Sequence, residues 1–342
     1  MTASPPVPPE NSPGRKIRRF RQGALLAVGI GIFILFLWQS GVSASVFYQL
    51  RSPGFLVLGV ALAFLVMAAA ALRTKVLLLS LGVRTGTGIL IRIEFIHYFL
   101  QTVLPFRLNL PAKAWVLRQS GVASFPQALS VTTFDYLIDT GTLLGIVFLI
   151  GPLFVPGLGM AGLSVAMVAI LGLLATYLAL PARVFGVLRF PGEPRSGVRR
   201  IWNRVLDFTL TLRATWFDLL RRRTSLGVVP VQAAVVVLQL FATQALLLSA
   251  GVWLPLLGLL VAINATAFIG GITTIPAGGL GVRDAAMAIL LNRLGAPLDV
   301  SLYAVLMSRL TGLIPVAIGY LLSLRFGTRW LSPPAQPEAG AP

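Results

Sequence analysis

Residues 224–282 read TSLGVVPVQAAVVVLQLFATQALLLSAGVWLPLLGLLVAINATAFIGGITTIPAGGLGV, without one charged side chain. The hydrocarbon core of a bilayer takes roughly 20 apolar residues per helix, so this run holds two passes. Working outward, residues 140–182 are also charge-free and long enough for two passes, and residues 23–41 and 52–72 are charge-free over the length of one. The composition agrees: 56% of the 342 residues are hydrophobic and 11% are charged. A soluble domain carries about 25% charged residues, so this supply cannot coat a water-facing surface. Leu, Val, Ala, Ile and Gly at this density satisfy their own backbone as helices rather than as a barrel. The expectation is an all-α, polytopic membrane protein and not a soluble enzyme.

The formal net charge of +18 could suggest nucleic acid. Its basic residues instead flank apolar runs, which is the positive-inside pattern, and they suit anionic lipid headgroups at the cytoplasmic face. Nucleic acid is therefore not an expected partner. There is no Cys and one His, His97, so disulfide, thiolate and His-rich metal chemistry are excluded, and no cofactor is expected. Arg15, Lys16, Arg18, Arg19 and Arg21 precede the first apolar run, with Val42-Ser43-Ala44 after it. That run exceeds the ~7–15 residues of a signal h-region, so it reads as an uncleaved first helix.

Residues 1–22 are Pro-rich and then basic, and read as a disordered cytoplasmic tail. The transmembrane domain covers 23–325, and 326–342 is a second loose tail. The first helix, 23–41, goes out and the second, 53–72, returns, with Arg73, Lys75 and Arg84 marking the cytoplasmic side. The loop 183–223 holds ten Arg against Glu193, Asp207 and Asp218, so it is cytoplasmic too. Within it Ile201, Val205, Phe208, Leu212, Trp216 and Leu219 recur at helical spacing, which predicts an amphipathic helix on the inner membrane surface. Arg325 and Arg329 place the C-terminus inside as well.

These anchors constrain parity. Residues 84 and 183 both lie inside, and 127–151 and 157–181 make one outward and one inward crossing. Residues 86–122 must then enter and leave on the inner side, as a re-entrant hairpin. By the same arithmetic 228–250 goes out, 254–295 is re-entrant from the outer side, and 300–324 returns. The count is six full crossings and two re-entrant hairpins.

The two hairpins resemble each other. The first has Pro105 at its break and Gly121 at its end; the second has Pro276 at its break and Gly295 at its end. Gly278, Gly279 and Gly281 add φ freedom at the second break. The other reading of such a segment is a surface loop between helices, but parity independently asks for re-entry. Non-helical backbone at membrane depth is tolerated only where protein or a water-filled cavity covers it. With one unit starting inside and the other outside, the pattern is an inverted repeat, the arrangement of transporters that bind at the midplane. The helix resuming near Val282 can hold an anion on its free N–H groups.

Of the ten acidic residues, Glu94, Asp135, Asp139, Asp284 and Asp299 lie in or beside these two units. A charge at the bilayer centre costs at least ~2.5–3.5 kcal/mol, so each is expected to face the protein interior with a partner. Asp135 and Asp139 share a helical face. Arg309, deep in the last crossing, would offset their cost by pairing with either, as an interhelical tie or as part of a site. Arg107, Lys113 and Arg283 follow the helix breaks and suit a phosphate-bearing ligand. Arg118 and Arg293 read as snorkelling side chains. His97, one turn from Glu94, is either a packed histidine or a proton relay.

These residues carry a resemblance. Ile275-Pro276-Ala277-Gly278-Gly279-Leu280-Gly281-Val282-Arg283-Asp284 resembles the Pro-Gly-Gly-x-Gly-x-Arg-Glu motif of the lysylphosphatidylglycerol synthase transmembrane region, a flippase-like family, with Asp for its Glu. Arg309 matches the family's Arg in the closing helix. The first motif departs: Asn109 stands for Gly, Lys113 for Arg, and Tyr136 for the Arg between Asp135 and Asp139. The resemblance covers about residues 23–325 and implies translocation of a lipid headgroup, such as an aminoacylated phospholipid or a polyprenyl-linked sugar. Arg107, Lys113, Arg283 and Arg309 would hold an anionic headgroup, with Asp135, Asp139 and Asp284 balancing them or engaging a cationic one. Synthase members carry a separate soluble aminoacyl-transfer domain, for which residues after 325 leave no room, so synthase activity is not expected. Two rival readings stand beside it. One is a membrane-embedded transferase using Asp135, Asp139 and Asp284 as acid and base. The other is a non-transporting accessory subunit of an envelope-lipid enzyme, with a dry, fully paired interior.

Overall fold

The computed structural model describes residues 49–104, 108–153, 197–272 and 282–330. Every regular element among them is helical. In chain order these are α1 (Pro53–Ser80), α2 (Thr87–Val103), α3 (Asn109–Gln119), α4 (Phe125–Leu149), α5 (Gly197–Arg221), α6 (Val228–Ser249), α7 (Leu256–Ile272), α8 (Val282–Arg293) and α9 (Leu298–Trp330). Four spans among the described residues are long and apolar enough to cross a membrane: Pro53–Ser80, Phe125–Leu149, Arg223–Ser249 and Leu298–Leu324. The protein is therefore a multi-pass membrane protein. The first helix at 23–41, the pass at 157–181, both tails and the Pro105 and Pro276 breaks lie outside the described residues.

One boundary differs from the sequence expectation. The second crossing was expected to end at 72, with Arg73 in the cytoplasmic loop. Instead α1 continues to Ser80 and Arg73 is buried inside it. The stop signal is Gly82, in the left-handed region at φ 82°, and not the first basic residue. Val83 N–H donates to Leu78 O at 2.9 Å, the six-to-one bond of a Schellman cap. Helix α4 begins with Pro126 in its first turn, and Ser124 N–H donates to Gln127 Oε1 at 3.3 Å, half of a capping box.

The element order repeats. A long helix, a 17-residue helix, a short helix of 11 or 12 residues and a second long helix occur first as α1–α4 and again as α6–α9. Both series turn at the same places. Gly82 and Gly251 end the first helix of each, and Gly121 and Gly295 end the third, all with positive φ. The chain even repeats its wording, Leu77-Leu78-Leu79-Ser80-Leu81-Gly82-Val83 against Leu246-Leu247-Leu248-Ser249-Ala250-Gly251-Val252. One apolar cluster of buried residues belongs mainly to each series, around Leu77, Ile93, Leu117 and Val131 in the first and Leu247, Leu259, Leu291 and Tyr303 in the second.

Contacts between the series exchange in the same way. Helix α1 packs along α6, α2 along α9, and α4 along α7. Swapping the series maps this set onto itself, as a two-fold relation requires. The central pair runs antiparallel: Arg51 N–H and Ser52 N–H at the start of α1 donate to Ser249 O at the end of α6, at 2.8 and 3.0 Å. Gly59 allows a close approach there, since a Cβ on it would lie 3.0 Å from Leu246 Cδ2 and 3.4 Å from Ala242 O.

Helix α5 packs against α4 through the end of its predicted apolar stripe. Trp216 and Leu219 are buried, and Trp216 Nε1 donates to Ser130 O on α4 at 3.3 Å. The side chains of Ile201, Val205, Phe208 and Leu212 are outside the described ones.

Candidate functional site

Charge gathers at one place in each series. In the first, the guanidinium of Arg73 on α1 reaches two carboxylates on α4. Its Nε lies 2.5 Å from Asp135 Oδ1, its Nη1 2.5 Å from Asp139 Oδ1, and its Nη2 donates to Asp139 Oδ2 at 3.0 Å. The four-residue spacing puts both carboxylates on one face of α4, where a planar fork can engage them together. Gln232 on α6 closes the arrangement: its Oε1 accepts from Arg73 Nη1, and its Nε2 donates to Asp139 Oδ1 at 3.0 Å.

Lys113, on the short helix α3, extends the network. Its Nζ lies 2.6 Å from Glu94 Oε1 on α2 and 3.2 Å from Asp135 Oδ2, and it donates to Thr74 Oγ1 at 3.2 Å. Thr74 donates in turn to Glu94 Oε1 at 2.8 Å. The side chains of Arg73, Lys113, Glu94 and Asp135 are between 1% and 9% exposed, whereas that of Asp139 is 49% exposed. Breaking one partner of such a buried pair strands the other charge, which costs several kcal/mol, so these bonds hold α1, α2, α3, α4 and α6 in one arrangement.

In the second series Asp284 on the short helix α8 is buried. It accepts from Arg309 Nε on α9 at 2.8 Å, with Arg309 Nη2 also 2.8 Å from the same oxygen. Arg283 lies against α7, where a Cβ on Gly270 would stand 2.9 Å from its Cδ. The expected pairing of Arg309 with Asp135 or Asp139 is therefore replaced by two separate ones. Both aspartates belong to Arg73, and Arg309 belongs to Asp284. Each acid finds its base inside its own series: Arg73 on α1 reaches α4, and each short helix packs against the long helix that follows it.

The two sites occupy matching places with opposite polarity. Lys113 on the first short helix meets Asp135 on the long helix after it. Asp284 on the second short helix meets Arg309 on the long helix after it. A cation faces an anion in one series, and an anion faces a cation in the other.

Of the residues singled out from sequence, Lys113, Asp135 and Asp139 come together, and Asp284, Arg283 and Arg309 form the second group. Arg107, Pro105, Pro276, Gly278, Gly279 and Gly281 lie outside the described residues. Glu94 turns to Lys113 and Thr74 rather than to His97, and His97 Nδ1 is buried with no hydrogen-bond partner among the described residues. Arg118 stacks over Trp115 at 5.7 Å, as a snorkelling side chain can. Sequence reasoning missed Arg73 and Gln232. The apolar run Val76-Leu77-Leu78-Leu79 after Arg73 was the signal that the helix continues past it. Nothing local distinguishes Gln232 from Gln239 or Gln244 on the same helix.

No curated protein matches this chain. A family model described as the lysylphosphatidylglycerol synthase TM region matches residues 24–319, which takes in α1 through α8 and most of α9. With that match running over both series and both charged sites, the chain belongs to the lysylphosphatidylglycerol synthase transmembrane-region family.

Proposed function

We propose that the protein carries a lipid with a charged headgroup from one leaflet to the other, between two inverted, re-entrant helix pairs. Family membership ties the chain to lipid metabolism. The observation that carries the reading is the pair of buried sites of opposite polarity, each at the junction of a short helix and the long helix that follows. Lipid alone rejects such charges, and in membrane proteins they mark a path or a ligand site by default.

Two features support re-entry and inversion. Helices of 17, 11 and 12 residues extend about 25, 17 and 18 Å at 1.5 Å per residue, short of a ~30 Å hydrocarbon core. Helices α1 and α6 occupy equivalent places, lie side by side and run antiparallel. A two-fold axis exchanging antiparallel neighbours lies across them, hence in the plane of the membrane for crossing helices. Six crossings follow when the segments at 23–41 and 157–181 are counted. The basic flanks support cytoplasmic termini in an inner-membrane protein.

In this reading the half-exposed Asp139 and the partly exposed Arg309 meet the headgroup, with Arg283, Arg107 and Lys113 as further cations and Asp135 and Asp284 as their balance. The acyl chains stay in lipid. The test is leaflet-resolved translocation of a reporter phospholipid in reconstituted vesicles. Wild type should exceed protein-free vesicles, and Arg283→Ala and Arg309→Gln should each slow it. Translocation no faster than in protein-free vesicles overturns the reading, and unchanged rates in a variant remove that residue from it.

The saturation of Lys113 by Glu94 and Asp135 favours a second reading, a non-transporting subunit beside an envelope-lipid enzyme. That reading predicts co-purification with such an enzyme and no translocation.

A further inference from the structure

Among the described residues the Arg73 network is not electrically balanced. Arg73 and Lys113 bring two positive charges to it, and Glu94, Asp135 and Asp139 bring three negative ones. The undescribed segments 23–41 and 157–181 contain no Arg, Lys or His, which leaves Arg107 as the undescribed cation nearest in sequence to Lys113. An ionised side chain inside a membrane protein is stabilised by a partner of opposite sign, so a surplus negative charge favours one more positive charge beside it.

The hydrogen bonds show where it would sit. Asp135 spends one oxygen on Arg73 and the other on Lys113. Glu94 Oε1 is taken by Lys113 and Thr74, and its Oε2, which has no hydrogen bond among the described residues, belongs to a buried side chain. Asp139 Oδ1 accepts from both Arg73 and Gln232, but among the described residues its Oδ2 accepts only the 3.0 Å bond from Arg73 Nη2. A carboxylate oxygen has two lone pairs, so Oδ2 keeps one, on the one member of the network that is half exposed. One turn along α2 from Glu94, the buried Nδ1 of His97 is a second polar atom left unmatched among the described residues. The groups facing this end are Arg73 on α1, Glu94 and His97 on α2, Lys113 on α3, Asp135 on α4 and Gln232 on α6.

We propose that Asp139 is the binding site of one small monovalent cation, a proton or a sodium ion, which completes the charge of the Arg73 network. A proton would form one O–H bond at Asp139 Oδ2 and break none within the protein. A sodium ion would take the same lone pair. Because Arg73 and Gln232 span the junction between the two helix series, loading and unloading this cation acts where the series meet. Resting on the carrier reading, this supplies an energy source for it.

The experiment needs no lipid substrate. The protein is purified in non-ionic detergent, and its melting temperature is followed from mildly acidic to mildly alkaline pH in sodium, potassium or choline chloride at one ionic strength. A rise of roughly 3 °C or more specific to sodium identifies sodium, and the same rise on acidification in every salt identifies the proton. Asp139→Asn, which removes the surplus charge at nearly constant shape, should be insensitive to both and at least as stable as wild type. Wild type indifferent to both overturns the proposal, as it would if Arg107 supplied the missing charge. An Asp139→Asn protein that keeps the wild-type dependence overturns it too.

If that variant does not fold, wild-type labelling by a hydrophobic carbodiimide decides. Modification of Asp139 that sodium suppresses, or that grows on acidification, supports the site; labelling indifferent to both removes it. Cation dependence without lipid translocation leaves the site and removes the carrier role. Translocation without cation dependence does the reverse.

Discussion

Arg73→Gln tests whether the buried network holds the helices together. The substitution removes the bonds to Asp135, Asp139 and Gln232 at once and takes the surplus negative charge of the network from one to two. Hydrogen bonds between membrane helices contribute only about 0.6 kcal/mol each, so the bonds alone account for roughly 2 kcal/mol. The stranded charge adds to this, and losing one partner of a buried ion pair costs about 3–5 kcal/mol in total. Asp139 is open and can hydrate, while Asp135 keeps Lys113, so the lower end of that range applies. We expect a loss of about 3 kcal/mol in reversible unfolding in mixed micelles. Adding Asp139→Asn should recover roughly 1 kcal/mol or more, which a double-mutant cycle reads as coupling. A loss below about 1 kcal/mol, or strict additivity of the two changes, would refute the assignment of Arg73 as the centre of the network.

Gly319→Ala should be among the most disruptive small changes on α9. Its Cβ would strike the Phe95 carbonyl oxygen and lie 2.8 Å from Phe95 C and 2.9 Å from Phe99 Cβ, so two helix backbones must part. Overpacking costs about 1–3 kcal/mol, and this one should reach the upper end; a melting temperature equal to wild type would show that α2 and α9 do not cross there. Gln232→Leu removes the amide that bridges Arg73 and Asp139 and should cost only about 1 kcal/mol, seen in the same unfolding assay. A cost as large as that of Arg73→Gln would mean that Gln232, rather than Arg73, carries the junction.

Much of the architecture was legible along the chain. Apolar runs longer than a bilayer is thick place long helices at 53, 127, 228 and 300 to within two residues of their observed starts, because that signal depends only on neighbours in sequence. The short helix pairs were also readable, since Pro and Gly interrupt helices locally. So was the need of Lys113, Asp135, Asp139, Asp284 and Arg309 for partners of opposite charge, because any charge inside an apolar run must be explained. Partnership was not legible. Arg73 stood beside Lys75 and resembled a cytoplasmic flank, although the apolar run after it carries the helix on to the turn at Gly82. Its carboxylate lies 62 residues away and its amide 159, distances over which no periodicity speaks. Which acid neutralises which base is settled by the helix it packs against, and that is a property of the folded protein: charge and hydropathy say that buried ions need partners, and packing alone chooses them.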